Sequence, residues 1–247
     1  MKVYTIAIQK GGAGKTTTAA ALAQAAVFRG RRVLAIDLDP QGNLSFFLDV
    51  DTNGKGAADF LTGAADPGEI LQESPQGMDV IPASRSLATI TTGRGTARRL
   101  QKALEPLKDK YDIVIIDTTG DNGELLYNAL QASDGVIIPI EADIYNVQSL
   151  YQTAETARQI QQSNPALSFT GLIFTKYDGR STITRQMKDT IQGRGAALGV
   201  PYLGEIRAAV AMKEAAALQQ SIFKYAPKSK PAQDYLALYD RIAADKE

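Results

Sequence analysis

The chain has 247 residues, of which 44% are hydrophobic and 22% are charged, as is typical of a globular protein with a large core. It has no cysteine and no histidine, which excludes disulfides, thiolate metal sites, iron–sulfur clusters and histidine general bases. The formal net charge is zero, so the overall charge does not indicate a nucleic-acid partner.

Short apolar runs rich in β-branched residues alternate with longer helical patterns along the chain. The runs that predict strands are Val3–Ile8, Val33–Ile36, Gly77–Ile81, Ile113–Ile116, Gly135–Ile140, Leu172–Phe174 and Val200–Leu203. Helical spacing of apolar residues predicts helices at Thr17–Arg29, Ala97–Lys108, Ile144–Gln162, Thr182–Leu198, Val210–Gln220 and Pro231–Ala244. This alternation predicts an α/β fold with a doubly wound, mostly parallel sheet, helices on both faces and ligands at the carboxyl ends of the strands.

We expect a single domain over residues 1–247, in which Asp49–Gly77 forms a surface excursion because it is rich in Gly, Asp and Pro. The first residues enter a strand pattern directly, without the layout of a signal peptide. No apolar stretch approaches the roughly 20 residues of a membrane span. These features favour a cytoplasmic location.

The segment after the first predicted strand carries the strongest motif. Glycines let consecutive backbone N–H groups converge on phosphate oxygens, a lysine reaches the β- and γ-phosphates, and a hydroxyl binds Mg²⁺. The spacing departs from G-x-x-x-x-G-K-[ST] because Gln9 stands at the first glycine position and Lys10 is added. The strand–loop–helix context predicts an ATP-binding P-loop formed by Lys10, Gly11, Gly12, Ala13, Gly14, Lys15, Thr16 and Thr17.

Carboxylates follow two further predicted strands. Asp37 and Asp39 end the second strand, in the run D-L-D-P-Q-G-N, and Asp117 ends a wholly apolar strand. A carboxylate at the end of a strand beside a P-loop holds Mg²⁺-bound water. Taken singly, each acid is equally consistent with a turn or a helix cap, but together with the P-loop they indicate a nucleotide site.

These motifs resemble those of the ParA/MinD superfamily of deviant-Walker P-loop ATPases, and the D-x-D-P-Q-G-N run is most similar to the ParA/Soj branch. The resemblance covers essentially the whole chain, and it implies ATP and Mg²⁺ as cofactors. It also implies that Thr16, Asp37 and Asp117 form the metal site, and that the catalytic residues are Lys10, Lys15 and Asp39. Lys15 would contact the β- and γ-phosphates, and Asp39 would position or activate the attacking water. Lys10 would reach the nucleotide of a partner subunit, so that ATP holds a homodimer together.

Two segments depart from the family pattern. Where the family has Pro-Pro after Asp-Thr, this chain has Thr118-Thr119-Gly120-Asp121-Asn122. Asp121 and Glu124 are additional acids there, consistent with a helix cap and a first-turn charge. In place of the family's P-R-N-V-R segment, this chain has Ile206–Ala211. Arg207 is the one arginine in this segment, and it is a candidate for contacting the nucleotide or DNA.

ParA-like dimers bind DNA without sequence preference, which requires clustered basic side chains rather than a motif. Between Lys176 and Lys230 there are ten Lys or Arg residues against four Asp or Glu residues. The candidate DNA-binding residues are Arg180, Arg185, Arg207, Lys224, Lys228 and Lys230. The alternative is a solvated basic face. DNA binding would place the protein on the nucleoid, and the family expectation for a partner that stimulates hydrolysis is a ParB-like protein.

Three other functions remain open. A MinD-like positioning ATPase would end in a basic amphipathic helix that lies on a membrane, whereas the charges of Gln233–Glu247 are mostly acidic, which favours packing and no membrane contact. A metabolic ligase or kinase would need a substrate pocket and would not need Lys10. A slow nucleotide-gated binding module is consistent with the changed Thr118–Asn122 segment.

Overall fold

The computed structural model describes residues 1–90 and 98–244, and these ranges contain one eight-stranded sheet. The strands are β1 (Lys2–Ile6), β2 (Val33–Leu38), β3 (Gln72–Ser74), β4 (Met78–Ile81), β5 (Ile113–Thr118), β6 (Gly135–Ile140), β7 (Ser168–Tyr177) and β8 (Tyr202–Arg207). Their order across the sheet is β3-β4-β2-β5-β1-β6-β7-β8. Neighbouring strands pair in parallel except for β3, which is antiparallel to β4. The predicted doubly wound, mostly parallel α/β fold is confirmed.

Helices connect the strands on both faces of the sheet. They are α1 (Lys15–Phe28), α2 (Asn43–Phe47), α3 (Ala57–Thr62), α4 (Pro67–Ile70), α5 (Arg99–Leu104), α6 (Glu124–Gln131), α7 (Asn146–Gln161), α8 (Thr182–Ala197), α9 (Ala211–Ala217), α10 (Ile222–Tyr225) and α11 (Lys230–Ala244). Short 3₁₀ turns lie at Arg85–Thr89 and Glu105–Leu107. Over the two described ranges, no helix is both long enough and apolar enough to cross a membrane.

The central strands are buried on both faces, as their continuous apolar sequences predict. In β2, Val33 and Ala35 contact the core cluster that contains α1 and α11, whereas Leu34 and Ile36 contact the cluster on the opposite face. A parallel sheet covered by helices on both sides selects for apolar residues at consecutive positions. Helix α1 is rich in alanine, and its small side chains let it pack closely against the centre of the sheet.

Several boundaries differ from the sequence predictions. The strand predicted at Leu172–Phe174 extends over the ten residues of β7, and the extended segment predicted at Val200–Leu203 begins and ends later, as β8. Exposed and polar residues at the ends of β7 weaken the apolar pattern, although its backbone still pairs with β6 and β8. Ala97, the predicted start of a helix, lies outside the described residues, as do residues 245–247.

The interpretation of Asp49–Gly77 as a mere surface excursion is wrong. The segment forms α3, α4 and β3, and it buries Phe60, Leu61 and Ile70 in the same cluster as Leu34 and Ile36. Its glycines, Asp and Pro end and cap these short elements instead of indicating a loop; Asp66, for example, precedes Pro67 at the start of α4. The segment is therefore part of the core, and the single domain over residues 1–247 stays a prediction.

Candidate nucleotide-binding site

The predicted P-loop connects the carboxyl end of β1 to the amino end of α1. Gly12 and Gly14 have φ angles of +75° and +88°, in the left-handed region that favours glycine. A Cβ on Gly14 would lie 3.3 Å from the methyl group of Thr175, so the loop also approaches β7 closely. The backbone geometry therefore requires both glycines, as a loop that turns its amides toward an anion does.

Gln9, which replaces the usual first glycine, fixes the P-loop to α7. Its side-chain amide donates to Thr156 Oγ1 at 2.8 Å, and its backbone N–H donates to Thr153 Oγ1 at 3.1 Å. Both threonines are buried on the face of α7 that packs against this loop. A glycine has no side chain to make this contact. Gln9 therefore lacks the conformational freedom of a glycine but attaches the P-loop to α7.

The two lysines of the P-loop have different environments. The buried Lys15 donates from Nζ to the carbonyl oxygen of Lys10 at 2.8 Å, which holds the loop closed. Burial lowers the pKa of Lys15, and the carboxylates of Asp117 and Asp39 oppose this effect. The Lys10 ammonium makes no hydrogen bond or ion pair with any residue that the structure describes.

Asp37 and Asp117 are neighbours across β2 and β5, where their Cα atoms pair in register. Asp37 Oδ2 accepts from the Ser45 N–H at 2.8 Å and from the Ser45 hydroxyl at 2.7 Å, and Oδ1 accepts from the Asp39 N–H at 3.1 Å. Burial raises the pKa of Asp37 to about 6, although these hydrogen bonds favour the charged form. Asp37 thus anchors the start of α2, and its role in holding metal-bound water stays a prediction.

Asp117 has an oxygen that the protein leaves without a partner. Its Oδ1 accepts from the Thr118 N–H at 3.1 Å, whereas Oδ2 is buried and accepts no hydrogen bond from the described residues. Burial, and then the charge of Asp37, raise the pKa of Asp117 to about 8, although a hydrogen bond with the Thr16 side chain and the charge of Lys15 oppose this shift. An unsatisfied buried carboxylate oxygen is costly unless a ligand supplies the missing contact, and it fits a hydrated Mg²⁺ ion.

No group of three or more acidic side chains forms a preformed cation cage within residues 1–90 and 98–244. Proteins usually hold Mg²⁺ through one or two carboxylates, water and the phosphates of a nucleotide. Thr16 and Asp117 are the residues that would complete such a site with the phosphates. The metal would neutralise part of the negative charge of the phosphates.

A cleft of about 610 Å³ lies over the P-loop and is called here the P-loop cleft. Asp39 lines it beside Lys15, and Asp39 Oδ1 accepts from the Gln41 N–H at 3.0 Å. The position of Asp39 at the open cleft suits a residue that acts on an attacking water. The remaining lining comes from the P-loop, the β2–α2 connection and the changed segment: Gly11, Gly12, Gly14, Thr16, Thr17, Pro40, Gln41, Asn43, Thr119, Gly120, Asp121 and Lys176.

The changed Thr118–Asn122 segment forms one wall of the P-loop cleft. A Cβ on Gly120 would lie 3.3 Å from the backbone nitrogen of Gly11, so this segment contacts the P-loop directly. Asp121 is not a helix cap, because α6 is preceded by Gly123, whereas Glu124 does lie in the first turn of that helix. The sequence prediction for Asp121 was wrong, and the structure places its charge near Lys15 instead.

A second cavity of about 530 Å³ adjoins the P-loop and is mostly apolar; it is called here the apolar cavity. Its walls come from Gly14 and Thr17 of the nucleotide motif, the residues that follow β8, and α9 and α11. Its position beside the loop and its apolar lining suit a purine base. Sequence reasoning missed Met212 and Tyr235 in this wall, because no motif marks them.

The basic candidates are distributed over several elements. Arg207 lies at the wall of the apolar cavity, and its guanidinium pairs with Asp234 at 2.6 Å. Arg180 pairs with Asp178 at 2.8 Å, and Arg185 donates to the carbonyl oxygen of Gly179 at 2.7 Å. The lysines at the α10–α11 junction are exposed, and their ammonium groups make no ion pair with the described residues: Lys224, Lys228 and Lys230. The nucleotide and DNA roles of this set stay predictions.

The strand–loop–helix with its left-handed glycines, the buried lysine and the carboxylates at the ends of two adjacent parallel strands define a P-loop nucleotide-binding protein. The family model of the AAA domain matches residues 1–169. The chain is 34% identical to the sporulation initiation inhibitor protein Soj of Bacillus subtilis, over 99% of both chains. It is 35% identical to the chromosome partitioning protein ParA of Caulobacter vibrioides, over 96% of this chain and 92% of that protein. The chain belongs to the ParA/Soj family of P-loop ATPases.

A solved structure of a similar protein contains a nucleotide and magnesium. The chain is similar to the cobyrinic acid a,c-diamide synthase of Mycobacterium smegmatis with a bound ATP analogue and magnesium. The TM-score is 0.84 and the identity is 32%, over 97% of this chain and 93% of that one. ATP and Mg²⁺ are accordingly the cofactors of this family site, as the P-loop sequence predicts.

Proposed function

We propose that the protein is an ATPase of ParA type that dimerises around ATP, binds DNA without sequence preference in that state, and acts in plasmid or chromosome partitioning. The observation that carries the proposal is the contrast between the two P-loop lysines. Lys15 is buried and tied into its own loop, whereas the Lys10 ammonium has no partner in the described part of the chain. Relatives named as chromosome-partitioning proteins match over nearly the whole chain, which supports the cellular process.

The proposed chemistry divides the work among the residues around the P-loop cleft. Lys15 contacts the β- and γ-phosphates, and Thr16 with Asp117 holds Mg²⁺ and its water, assisted by Asp37. Asp39 orients the attacking water. Lys10 of a second copy stabilises charge on the transferred phosphoryl group, as an arginine finger does in trans. Dimerisation then depends on ATP, and hydrolysis releases the dimer. A ParB-like protein is the proposed stimulator, in the cytoplasm and on the nucleoid.

The packing of α11 favours this proposal over a MinD-like membrane protein. The apolar residues Tyr235, Leu238, Tyr239 and Ile242 of α11 are buried in the core cluster that contains α1. Its acids face cations of the same chain, since Asp234 pairs with Arg207 and Asp240 pairs with Arg29. A helix that buries its apolar face in the core has none to insert into a lipid surface.

Sedimentation velocity of the hydrolysis-blocked variant Asp39→Ala, with and without Mg-ATP, tests dimerisation. We expect a monomer without nucleotide and a dimer with ATP, because the variant retains the P-loop and Lys10. The matched control is the double variant Lys10→Ala/Asp39→Ala, which should bind ATP and remain a monomer. A monomeric Asp39→Ala protein under both conditions would contradict the proposal.

A further inference from the structure

Two side chains at the end of β7 donate hydrogen bonds to backbone carbonyl oxygens of the P-loop. Thr175 Oγ1 donates to the carbonyl oxygen of Ala13 at 2.9 Å, and Lys176 Nζ donates to the carbonyl oxygen of Gly12 at 2.8 Å. The same ammonium pairs with Glu141 Oε1 at 2.7 Å, so a carboxylate from the end of β6 fixes its position. None of these three residues belongs to a nucleotide motif that the sequence shows.

The backbone of Lys176 is in an unusual conformation that serves this contact. Its φ angle is +50°, in the left-handed region that a residue with a Cβ seldom adopts. The pairing of β7 with β8 also shifts register between Phe174 and Tyr177. Bulges of this kind redirect a side chain and recur beside functional sites, where strained residues also concentrate. At this irregularity Lys176 faces the P-loop. Lys176 lines both the P-loop cleft and the apolar cavity.

Peptide geometry shows what the two contacts accomplish. In a planar trans peptide the carbonyl and the N–H of the next residue point in opposite directions. Holding the carbonyls of Gly12 and Ala13 at β7 therefore turns the N–H groups of Ala13 and Gly14 away from β7. Gly12 lacks a Cβ that would fix the orientation of its peptide, and a reversed Gly12–Ala13 peptide would present a carbonyl oxygen to the phosphates. The ammonium of Lys176 opposes that reversal.

We propose that Lys176 is a positioning residue for ATP, which locks the Gly12–Ala13 peptide with its N–H available to phosphate, and that Glu141 holds the lysine in place. The inference rests on the proposed function, because it assigns a specificity element to the same nucleotide site. Lys176 acts through the loop rather than through its charge, since Glu141 already neutralises the ammonium. ATP and ADP sense the orientation of this peptide through their phosphates, which adenosine lacks.

The test measures the dissociation constants of Mg-ATP, Mg-ADP and adenosine by calorimetry, together with steady-state hydrolysis, for the full chain and its variants. We expect Lys176→Met to weaken ATP and ADP binding roughly fivefold to tenfold, the typical effect of losing one solvent-exposed hydrogen bond. KM should rise, whereas kcat should stay within about twofold of its original value, because the affected N–H contacts exist in both the ground state and the transition state. Adenosine, which has no phosphate to contact this peptide, should lose less affinity than ATP, and Lys176→Arg, which retains a charged donor, should restore ATP binding.

Two more variants distinguish positioning from a purely structural role and from direct attraction of phosphate. Lys176→Gly removes the lysine but suits the left-handed backbone, so the unfolding temperature should stay within about 4 °C while ATP binding weakens. If Lys176 had a merely structural role, this substitution would lower the unfolding temperature and weaken ATP binding together. Glu141→Gln removes the neutralising carboxylate: positioning predicts weaker ATP binding, whereas direct attraction of the phosphates by charge predicts tighter binding.

The inference is overturned if Lys176→Met binds ATP as the unmodified protein does, or if Glu141→Gln binds it more tightly. Either result leaves the proposed function intact. Absence of ATP binding by the unmodified protein would instead contradict the proposed function itself.

Discussion

At the scale of single residues, Ser45 shows how the site depends on side chains outside the recognisable motifs. Its hydroxyl donates to Asp37 Oδ2 at 2.7 Å and accepts from the Ala83 N–H at 2.9 Å. Asp37 and Ser45 are both fully buried, so these bonds stabilise a carboxylate that water does not reach. Ser45 thereby joins β2 to α2 and to the residues after β4.

Replacing Ser45 by alanine tests this role. Ser45→Ala leaves the buried Ala83 N–H without an acceptor and removes one donor from Asp37. We expect the free energy of unfolding to fall by about 1 to 3 kcal/mol, as measured by urea denaturation without nucleotide. Ser86→Ala is the matched control: Ser86 is exposed, and its loss should change stability by less than about 0.5 kcal/mol. Equal stabilities of the two variants would contradict the assignment.

At the scale of elements, the Asp49–Gly77 segment shows where composition misleads. Gly, Asp and Pro predict loop, yet α3 lies between such residues and buries Phe60 with 3% of its surface exposed. The apolar residues of α3 occupy only two turns, which is too short for a periodic pattern to stand out. Packing against Leu34 and Ile36 of β2 decides the conformation, because a helix this short is unstable alone.

The burial of Phe60 leads to a second stability prediction. Phe60→Ala removes a ring from the core and should lower the free energy of unfolding by about 3 to 5 kcal/mol. Phe46→Ala supplies the comparison, since Phe46 lies in the neighbouring short helix α2 with 59% of its surface exposed, and we expect a far smaller change. Chemical denaturation of both variants measures the difference. If Phe60→Ala lowered the free energy of unfolding no more than Phe46→Ala does, the packing of α3 against the core would be contradicted.

At the scale of the whole molecule, the distribution of charge matters more than its sum. Ion pairs within the chain neutralise several of the basic side chains between Lys176 and Lys230: Lys176 with Glu141, Arg180 with Asp178, Lys188 with Glu205, and Arg207 with Asp234. Lys224, Lys228 and Lys230 remain exposed at the α10–α11 junction. Because they lie close together in the sequence, these three lysines are the candidates that we test for contacts with DNA phosphates.

Replacing the three lysines together tests DNA binding. The ATP-bound protein should retard random duplex DNA at low salt and release it as salt increases. The variant Lys224→Ala/Lys228→Ala/Lys230→Ala should bind at least about tenfold more weakly, with a salt slope reduced by about 2 to 3. Lys2→Ala/Lys55→Ala/Lys108→Ala is the charge-matched control, because each of these lysines already has an acidic partner. Equal losses in both variants, or no ATP-dependent retardation by the unmodified protein, would contradict the proposed surface.

The sequence by itself determined the parts of this protein that depend on local geometry. Continuous apolar runs identified the buried parallel strands, and the glycine-rich turn identified the P-loop, because Gly12 and Gly14 adopt conformations that other residues seldom reach. The carboxylates at strand ends were also predictable, since the carboxyl ends of parallel strands meet at one edge of the sheet.

Only the tertiary structure decided which distant side chains complete the site. Thr175 and Lys176 lie 162 and 164 residues from the carbonyls they hold, and a bulge rather than a motif directs Lys176 toward the loop. Gln9 was visible as an exception, but its anchors on α7 were not. Such contacts depend on the register and packing of elements far apart in the chain, and local sequence patterns carry no record of either.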